Sequence, residues 1–195
     1  MLKEQQEGRF LKKYRAECSI CKENAELLGG YPLFKRIDKI HNAGFFNDGT
    51  RRTGEVCYTH AKNAKSEYPE DIIVASYFRN FGENQKAVRP VTEESGKAAL
   101  KKLGKKTEYS TRVHFLETNP QKKTALIECQ ISKGYRHQVR CHLSWLGLPV
   151  KGDELYNFNV RERFEKTGGL EKLEFYATGL EFTNPVTGET LKFKV

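Results

Sequence analysis

Basic and imidazole side chains are concentrated in one short stretch of the chain, ISKGYRHQVRCHLSWLGLPVKGDELY, residues 131–156. Guanidinium groups bind phosphates and carboxylates, and imidazoles can carry or orient protons, so this stretch is the first candidate for a chemical site. Its candidate residues are Arg136, His137, Gln138, Arg140 and His142.

A helix from about residue 135 to residue 146 is predicted to carry this cluster. Gly147, with Pro149 beyond it, is the expected signal for the helix end. On such a helix Arg136 and Arg140 lie four residues apart on one face, where two forked donors could grip phosphates or a carboxylate. A solvated basic flank is the alternative that the two arginines alone leave open. The predicted apolar stripe consists of Tyr135, Val139, Leu143 and Leu146.

Possible metal ligands occur in two short motifs, CSIC and CYTH, each with the two-residue gap of a tetrahedral zinc site. His137 and His142 are five residues apart and do not share a helix face as the pair of zinc proteases does. We therefore predict no metal and no cofactor at the arginine helix. Zinc held by the two motifs stays an alternative to thiols that are core or incidental. Its ligands would be Cys18, Cys21, Cys57 and His60.

The charge balance favours an anionic partner. Lys and Arg number 34 against 25 Asp and Glu, a formal net charge of +9, which fits nucleic acid or an acidic membrane. The chain has no apolar run long enough to span a membrane and no signal-peptide core, so we expect a cytoplasmic protein with reduced thiols and no membrane partner. It also lacks the glycine-rich loops that bind nucleotide phosphates.

The elements that must position these residues are mostly strands. Alternation over residues 9–20 predicts a strand with Tyr14 on its apolar face, and residues 107–131 and 174–195 predict two hairpins. Residues 71–78 fit a strand or a helix, and Pro90 marks KAVRPV as an edge strand. Residues 29–70 are predicted to form an irregular excursion. We expect one domain over residues 1–195, of the α+β class with a largely antiparallel sheet.

Four motifs, in order, resemble those of the RluA-type pseudouridine synthase family. HQVRCHL followed by GLPVKGDELY is similar to the family's His-Gln-Ile/Val-Arg-x-His-Leu and Gly-x-Pro-Ile/Val-x-Gly-Asp-x-x-Tyr. LKKYRA is similar to its Lys-x-Tyr-x-Ala strand, and FYATGLEFTNPVTGE to its C-terminal hairpin. The resemblance covers the chain from about residue 8 to its end.

The resemblance implies a mixed sheet flanked by helices, an RNA-binding cleft across it, and isomerisation of uridine in RNA to pseudouridine without a cofactor. In the family an aspartate attacks the nucleoside, the base rotates, and C5 replaces N1 on the ribose. Arg140 would pair with that aspartate and keep it ionised, and Tyr14 would stack on the base and remove the C5 proton. The expected partner is ribosomal or transfer RNA, contacted by Lys12, Arg136, His137, Gln138 and Lys151.

The family's nucleophile motif, His-Arg-Leu/Ile-Asp-x-x-Thr-Ser-Gly, precedes the Lys-x-Tyr strand by about one strand and one helix, but Tyr14 lies close to Met1 here. Asp38 follows Tyr14 and lacks Thr-Ser-Gly, and Asp153 is expected to cap backbone N–H groups in its turn. We therefore predict a catalytic domain truncated at its N-terminus, with little synthase activity unless an upstream segment or a partner chain supplies the aspartate. A non-catalytic RNA-binding module is the alternative.

Overall fold

The computed structural model describes residues 10–21 and 71–195, except residues 94, 104, 105, 120 and 170. Between these two ranges it describes three short strands, Gly44–Phe45 (β2), Arg51–Arg52 (β3) and Cys57–Thr59 (β4). Most of the predicted excursion at residues 29–70, including Asp38 and His60, lies outside the described residues.

An eight-stranded sheet forms the centre of the fold, in the order β10-β9-β1-β8-β7-β5-β4, with β6 paired to β5. Every pair of strands described is antiparallel, which confirms the predicted α+β class with a largely antiparallel sheet. The remaining strands are Phe10–Ser19 (β1), Asp71–Phe81 (β5), Ala87–Val91 (β6), Tyr109–Asn119 (β7), Thr124–Ile131 (β8), Phe175–Thr183 (β9) and Thr190–Lys194 (β10). The described helices are Lys97–Lys101 (α1), Gln138–Trp145 (α2) and Phe158–Thr167 (α3).

The core lies between one face of the sheet and α2. Alternate residues of β8 are buried, from Ala125 to Ile131, because successive side chains of a strand point to opposite faces. Val139 and Leu143 of α2 pack against that face in the same apolar cluster. Helix α2 is therefore fixed on the central strands by burial of its apolar side, as its sequence spacing predicted.

Three elements of secondary structure differ from the sequence predictions or settle what those left open. The ambiguous segment at residues 71–78 is a strand, and it extends to Phe81. Helix α3 was not predicted, because its sequence, FNVRERFEKT, has few apolar residues among its charged ones; in the structure only Val160 of the ten is buried. The helix predicted from about residue 135 begins instead at Gln138. None of the helices in the described part of the chain has the length and apolarity to cross a membrane.

The end of β1 is fastened to the turn that follows α2. Ser19 N donates to Pro149 O at 2.9 Å, Cys18 forms a bridge with Val150, and Lys151 N donates to Glu17 O at 2.9 Å. Two of the motifs, the Lys-x-Tyr-x-Ala strand and the Gly-Asp turn, are thereby joined by main-chain hydrogen bonds.

Gly152 allows the Gly-Asp turn to pass close to the segment before β9. Its φ is +72°, and a Cβ built on it would lie 2.0 Å from Lys172 O. A side chain at this position would thus have both an unfavourable backbone conformation and a direct collision with main chain.

Candidate active site

Arg140 on α2 and Asp153 in the Gly-Asp turn form a two-point ion pair. Arg140 Nε donates to Asp153 Oδ2 at 2.7 Å, and Arg140 Nη2 donates to Oδ1 at 2.6 Å. The Arg140 side chain is 17% exposed and that of Asp153 is fully buried. Burial alone would lower the pKa of Arg140, but the hydrogen bonds and charge of Asp153 outweigh it and raise that pKa above its ordinary value. The guanidinium is therefore charged at any physiological pH.

Asp153 also organises its own turn. Its Oδ1 accepts hydrogen bonds from Leu155 N at 3.0 Å and Tyr156 N at 3.2 Å, which confirms the predicted capping role. What the sequence did not indicate is that the same carboxylate holds Arg140. Asp153 thus links the backbone of the turn to Arg140.

Arg140 already has one carboxylate partner, because Asp153 occupies the edge of the guanidinium formed by Nε and Nη2. That Arg140 also pairs with an attacking aspartate stays a prediction. No other hydrogen bond to the Arg140 guanidinium is present within the described residues. A guanidinium has five N–H donors in a planar fork, so its Nη1–Nη2 edge could still meet a second anion. Asp153 fixes the direction in which that edge points.

The start of α2 separates the two arginines that the sequence placed on one helix face. His137 is the residue before the helix and has a left-handed backbone conformation, φ 55° and ψ 15°. Arg136 therefore lies outside the helix, and its Nη2 donates to Asn80 Oδ1 at 3.1 Å and to Gln85 O. The prediction of a shared Arg136–Arg140 face is wrong, because the helical period does not extend through His137.

The Gln138 side chain is enclosed by the protein and does not face solvent. It is 2% exposed, and its Nε2 donates to Ser110 O at 2.8 Å and to Thr111 Oγ1 at 3.2 Å. Its Oε1 accepts from Tyr135 N at 2.9 Å. Both amide donors are used inside the protein, so the prediction that Gln138 contacts RNA is corrected: this side chain ties α2 to β7.

His142 is a buried neutral imidazole. One ring nitrogen, Nε2, lies 2.9 Å from Ser76 Oγ, and the other, Nδ1, lies 2.9 Å from Thr111 Oγ1. The ring packs against Phe78, with centroids 4.9 Å apart. Complete burial lowers the pKa of His142 to about 3. It is therefore neutral at physiological pH and acts as a hydrogen-bonded link between β5, β7 and α2.

Tyr156 connects the arginine, His137 and the β5–β6 hairpin. Its ring is buried, and the Arg140 guanidinium carbon lies 5.5 Å from the ring centroid. Its hydroxyl accepts from Val88 N at 2.8 Å and lies 3.3 Å from His137 Nδ1. Burial raises the pKa of Tyr156, and the pKa of His137 is lowered by burial and by Arg140 and Arg136. At neutral pH the tyrosine is protonated, and the histidine is mostly uncharged.

Tyr14 lies in the middle of β1, on the strand face that carries buried Ala16 and Cys18. Its ring is half-buried and stacks on Phe175, with centroids 5.1 Å apart and planes 8° apart. Burial raises the pKa of Tyr14, so its hydroxyl is protonated at neutral pH and would have to lose that proton before acting as a base. No hydrogen bond or ring contact joins Tyr14 to Arg140 among the residues that the structure describes.

Two predicted RNA contacts, Lys12 and Lys151, have different surroundings. Lys12 is half-buried two residues before Tyr14, opposite Ile131 on β8 and Leu180 on β9. It forms no ion pair with any described residue. Lys151 Nζ forms an ion pair with Glu17 Oε1 at 2.6 Å, which is a second link between the turn and β1. The RNA contacts of both residues stay predictions, as do those of Arg136 and His137.

The cysteine motifs do not form a metal site in the described part of the chain. Cys18 is fully buried in the apolar core, and Cys21 Sγ accepts a hydrogen bond from Asn159 Nδ2 at 3.4 Å. No group of three or more potential metal ligands occurs among the described residues. The zinc alternative also needs the side chains of Cys57 and His60, which lie outside them. Cys18 fits the core interpretation.

Comparison with known proteins confirms the resemblance to RluA-type pseudouridine synthases. The chain is 31% identical to ribosomal large subunit pseudouridine synthase D of Vibrio parahaemolyticus over 120 residues, 55% of this chain and 35% of that protein. It is 34% identical to ribosomal large subunit pseudouridine synthase C of Escherichia coli over 71 residues, 35% of this chain and 22% of that protein.

One plant relative and one solved structure support the same resemblance. RNA pseudouridine synthase 2, chloroplastic, of Arabidopsis thaliana is 29% identical over 106 residues, 46% of this chain and 25% of that protein. Human RNA pseudouridylate synthase domain containing 1 shares the fold, with a TM-score of 0.55 at 15% identity, covering 100% of this chain and 57% of that chain. No family model matches the chain. The matched regions span about a quarter to a third of these curated relatives.

Proposed function

We propose that the protein isomerises uridine in RNA to pseudouridine, as part of a synthase whose attacking aspartate comes from a segment outside these residues. One observation carries the proposal: β1, with Lys12 and Tyr14, is bonded to the turn whose Asp153 fixes Arg140. The residues that the RluA-type resemblance assigns to chemistry are thus held by one connected framework. The relatives, all pseudouridine synthases by name, support the same reaction.

In the proposed reaction the chain's own residues bind and orient. The uridine leaves its stack to reach the site, as in other base-modifying enzymes. Arg140 presents its Nη1–Nη2 edge to the attacking carboxylate and keeps it ionised. As the carboxylate bonds to ribose C1′, the bond from C1′ to N1 breaks; the base rotates, C5 bonds to C1′, and the carboxylate leaves with the electron pair of its bond. Tyr14 lies against the base, and its hydroxyl first gives its own proton to water. The phenolate oxygen then accepts the proton that C5 loses, and N1 takes up a proton from water.

Ribosomal or transfer RNA is the proposed partner. The net charge of +9 favours binding to a polyanion, and contacts to phosphates make such binding weaken as salt increases. The aspartate would come from an upstream segment or from a partner chain. Asp38, the one residue of this chain that resembles the family's nucleophile motif, lies outside the described residues.

Release of tritium from RNA labelled at uridine C5 tests the proposal, because only loss of the C5 proton releases it. The purified chain is compared with the same chain carrying, fused before Met1, the aspartate segment of the Vibrio parahaemolyticus relative. We expect salt-sensitive RNA binding and little release from the chain alone, and release together with pseudouridine from the fusion.

Two outcomes would change the proposal. Normal release by the chain alone would mean that the nucleophile is inside these residues, and Asp38→Asn would then be the first variant to test. Folded fusion protein that binds RNA without any product would leave the non-catalytic RNA-binding module as the function. The same experiment therefore separates the proposed enzyme from its alternative.

A further inference from the structure

Tyr156 is held both at its main chain and at its hydroxyl, so its ring has a fixed position beside Arg140. Its N–H donates to Asp153 Oδ1 at 3.2 Å, and its carbonyl accepts from Ser144 Oγ. At the far end of the side chain, the hydroxyl accepts from Val88 N at 2.8 Å. The residue is 2% exposed and packs in an apolar cluster with side chains of β5, β6 and α2. The ring therefore cannot turn away without breaking the hydroxyl's bond to β6.

The imidazole of His137 restrains the Tyr156 hydroxyl from another side. Its Nδ1 lies 3.3 Å from that hydroxyl, and the two rings meet edge to face, with planes 78° apart. A main-chain N–H can only donate, so the hydroxyl accepts from Val88 and has its own proton to give to His137 Nδ1. His137 reaches this position from a left-handed backbone, with φ 55°. Such a conformation has a cost for a residue with a side chain and persists where surrounding contacts hold it.

The two hydrogen bonds between Arg140 and Asp153 leave the guanidinium one soft motion. The bonds from Nε and Nη2 define an axis along one edge of the guanidinium plane. The plane can tilt about that axis with little change in either bond, and the tilt moves Nη1 most, because Nη1 lies farthest from the axis. The guanidinium carbon lies over the Tyr156 ring, 5.5 Å from its centroid. Attraction between the cation and the ring face opposes a tilt away from the ring.

This tilt matters for the edge of Arg140 that Asp153 leaves open. In the proposed reaction the Nη1–Nη2 edge meets the attacking carboxylate, so a tilt changes the direction in which Nη1 donates. A hydrogen bond weakens as it departs from linearity, and the support for the ionised carboxylate weakens with it. Within the part of the chain that the structure describes, Tyr156 is the one ring over this guanidinium.

We propose that Tyr156 is a positioning residue for the isomerisation: its ring, fixed through Val88 and His137, holds the plane of the Arg140 guanidinium so that the Nη1–Nη2 edge meets the attacking carboxylate. The inference rests on the proposed function for its reaction. Tyr156 acts through Arg140 and touches neither the nucleoside nor the carboxylate. The alternative is a ring that only fills space between β6 and α2. Packing needs the shape of the ring, whereas positioning needs the negative charge of its face.

Fluorination of the ring separates these two roles, because it withdraws electrons from the ring face and alters the shape little. The aspartate-segment fusion is prepared with Tyr156→Phe and with Tyr156→trifluorophenylalanine, and tritium release from C5-labelled RNA is measured. Both variants lack the hydroxyl, so both lose its bonds to Val88 and His137. We expect kcat of the fluorinated variant to be at least about fivefold below that of Tyr156→Phe, with KM within about twofold. Tyr156→Phe should itself lie between this variant and wild type.

Two further measurements report on Arg140 itself. In the pH profile of kcat/KM, the acid limb should move to higher pH by about half a unit in the fluorinated variant relative to Tyr156→Phe, because a tilted guanidinium holds the attacking carboxylate ionised less well. In the full chain without the fused segment, NMR follows hydrogen exchange of the Arg140 Nε–H, identified by its loss in Arg140→Met. Its exchange should be at least about threefold faster in the fluorinated variant than in Tyr156→Phe. A ring that only packs would change neither.

Phe78→trifluorophenylalanine is the matched control, because it places the same fluorinated ring in the same apolar cluster, where Phe78 stacks on Tyr135 and not on Arg140. We expect its kcat and its Arg140 Nε–H exchange to stay within about twofold of wild type. Thermal unfolding checks that each variant is folded. If Tyr156→trifluorophenylalanine does not fold, a ring with a single fluorine replaces it, with an expected loss of about twofold in kcat. Equal losses from the two fluorinated positions would show a packing effect and overturn the inference.

The inference and the proposed function can fail separately. If the wild-type fusion makes pseudouridine while fluorination at Tyr156 changes neither kcat nor the acid limb, Tyr156 is a packing residue and the function stands. If folded wild-type fusion makes no pseudouridine, the function is wrong, and with it the role of Tyr156 in the isomerisation. Exchange of the Arg140 Nε–H then decides the remaining part: faster exchange would support the hold of the ring on the guanidinium, and unchanged exchange would overturn that as well.

Discussion

Removing the charge of Asp153 should destabilise the protein far more than removing an exposed ion pair. Asp153 is fully buried and accepts two hydrogen bonds from Arg140 and two from backbone N–H groups. Asp153→Asn leaves the guanidinium of Arg140 without its counter-charge and places an amide N–H₂ where one acceptor was. Breaking one partner of a buried ion pair costs 3–5 kcal/mol in other proteins, and the shape of asparagine retains part of the turn, so we expect about 3 kcal/mol.

Urea unfolding followed by circular dichroism measures this free energy, and a loss of about 3 kcal/mol corresponds to a Tm lower by about 6–12 °C for a chain of this size. Lys151→Gln is the control, because the side chains of Lys151 and Glu17 are 38% and 40% exposed and such pairs contribute about 0–1 kcal/mol.

A double-mutant cycle separates the ion pair from the cap. The second variant of the cycle is Arg140→Met. The double variant should lower the free energy of unfolding by at least about 1.5 kcal/mol less than the two single variants do when their effects are added. Additive losses would mean that Asp153 acts only on its own turn. A loss below about 0.5 kcal/mol for Asp153→Asn would refute the buried pair itself.

Two further predictions follow from the buried elements around the site. Gly152→Ala should lower the free energy of unfolding by well over the roughly 1–2 kcal/mol that a left-handed conformation costs a residue with a side chain, since its Cβ would meet Lys172 O at 2.0 Å. Gly168 has a φ of +64° but open space around it, so Gly168→Ala should lower the free energy of unfolding by about 1 kcal/mol in the same assay. Equal losses would show that the contact is not real. Because burial lowers the pKa of His142 to about 3, the unfolded chain binds a proton there below about pH 6.5 that the folded protein does not. The stability that neutral His142 contributes is thus complete above that pH and falls as the pH decreases toward 3. Between pH 7 and pH 5.5 this effect should lower the free energy of unfolding by about 1 kcal/mol. The decrease should be present in a His137→Gln control and absent from His142→Gln. The same pH dependence in His142→Gln would contradict the buried neutral ring.

The strands were predictable because their signals are local. β1, β7 and β8 each alternate apolar and polar residues along much of their length, and burial alternates strictly along β8, whereas a register shift interrupts β7 between Phe115 and Glu117. The RluA-type motifs also predicted the fold class correctly. The segment at residues 71–78 could not be assigned, because both a strand and a buried helix can have continuous apolar residues.

The details of the site depended on contacts that the sequence does not display. A left-handed His137 moves Arg136 away from Arg140, although helical spacing placed the two together. The Arg140–Asp153 pair joins residues thirteen apart through the shape of the turn. Gln138 was mistaken for an RNA contact, because a polar residue in a basic motif looks exposed until its partners Ser110 and Thr111 are known.

Tyr156 was also missed as a central residue. The resemblance placed it in a motif, but its contacts come from two distant segments of the chain, Val88 on β6 and His137 with Arg140 at the start of α2. Its position at the end of a conspicuous Gly-Asp turn was the available signal in the sequence. Once the tyrosine is buried, its hydroxyl usually finds a partner.

The most direct test of the central claim is tritium release from C5-labelled RNA by the aspartate-segment fusion, compared with the same fusion carrying Tyr14→Phe. Phenylalanine can keep the stacking on Phe175 and removes only the hydroxyl that is proposed to take the C5 proton. We expect release to fall by at least about a hundredfold while RNA affinity stays within about twofold. Equal release from both proteins would contradict the role of Tyr14, and no release from either would contradict the proposed synthase.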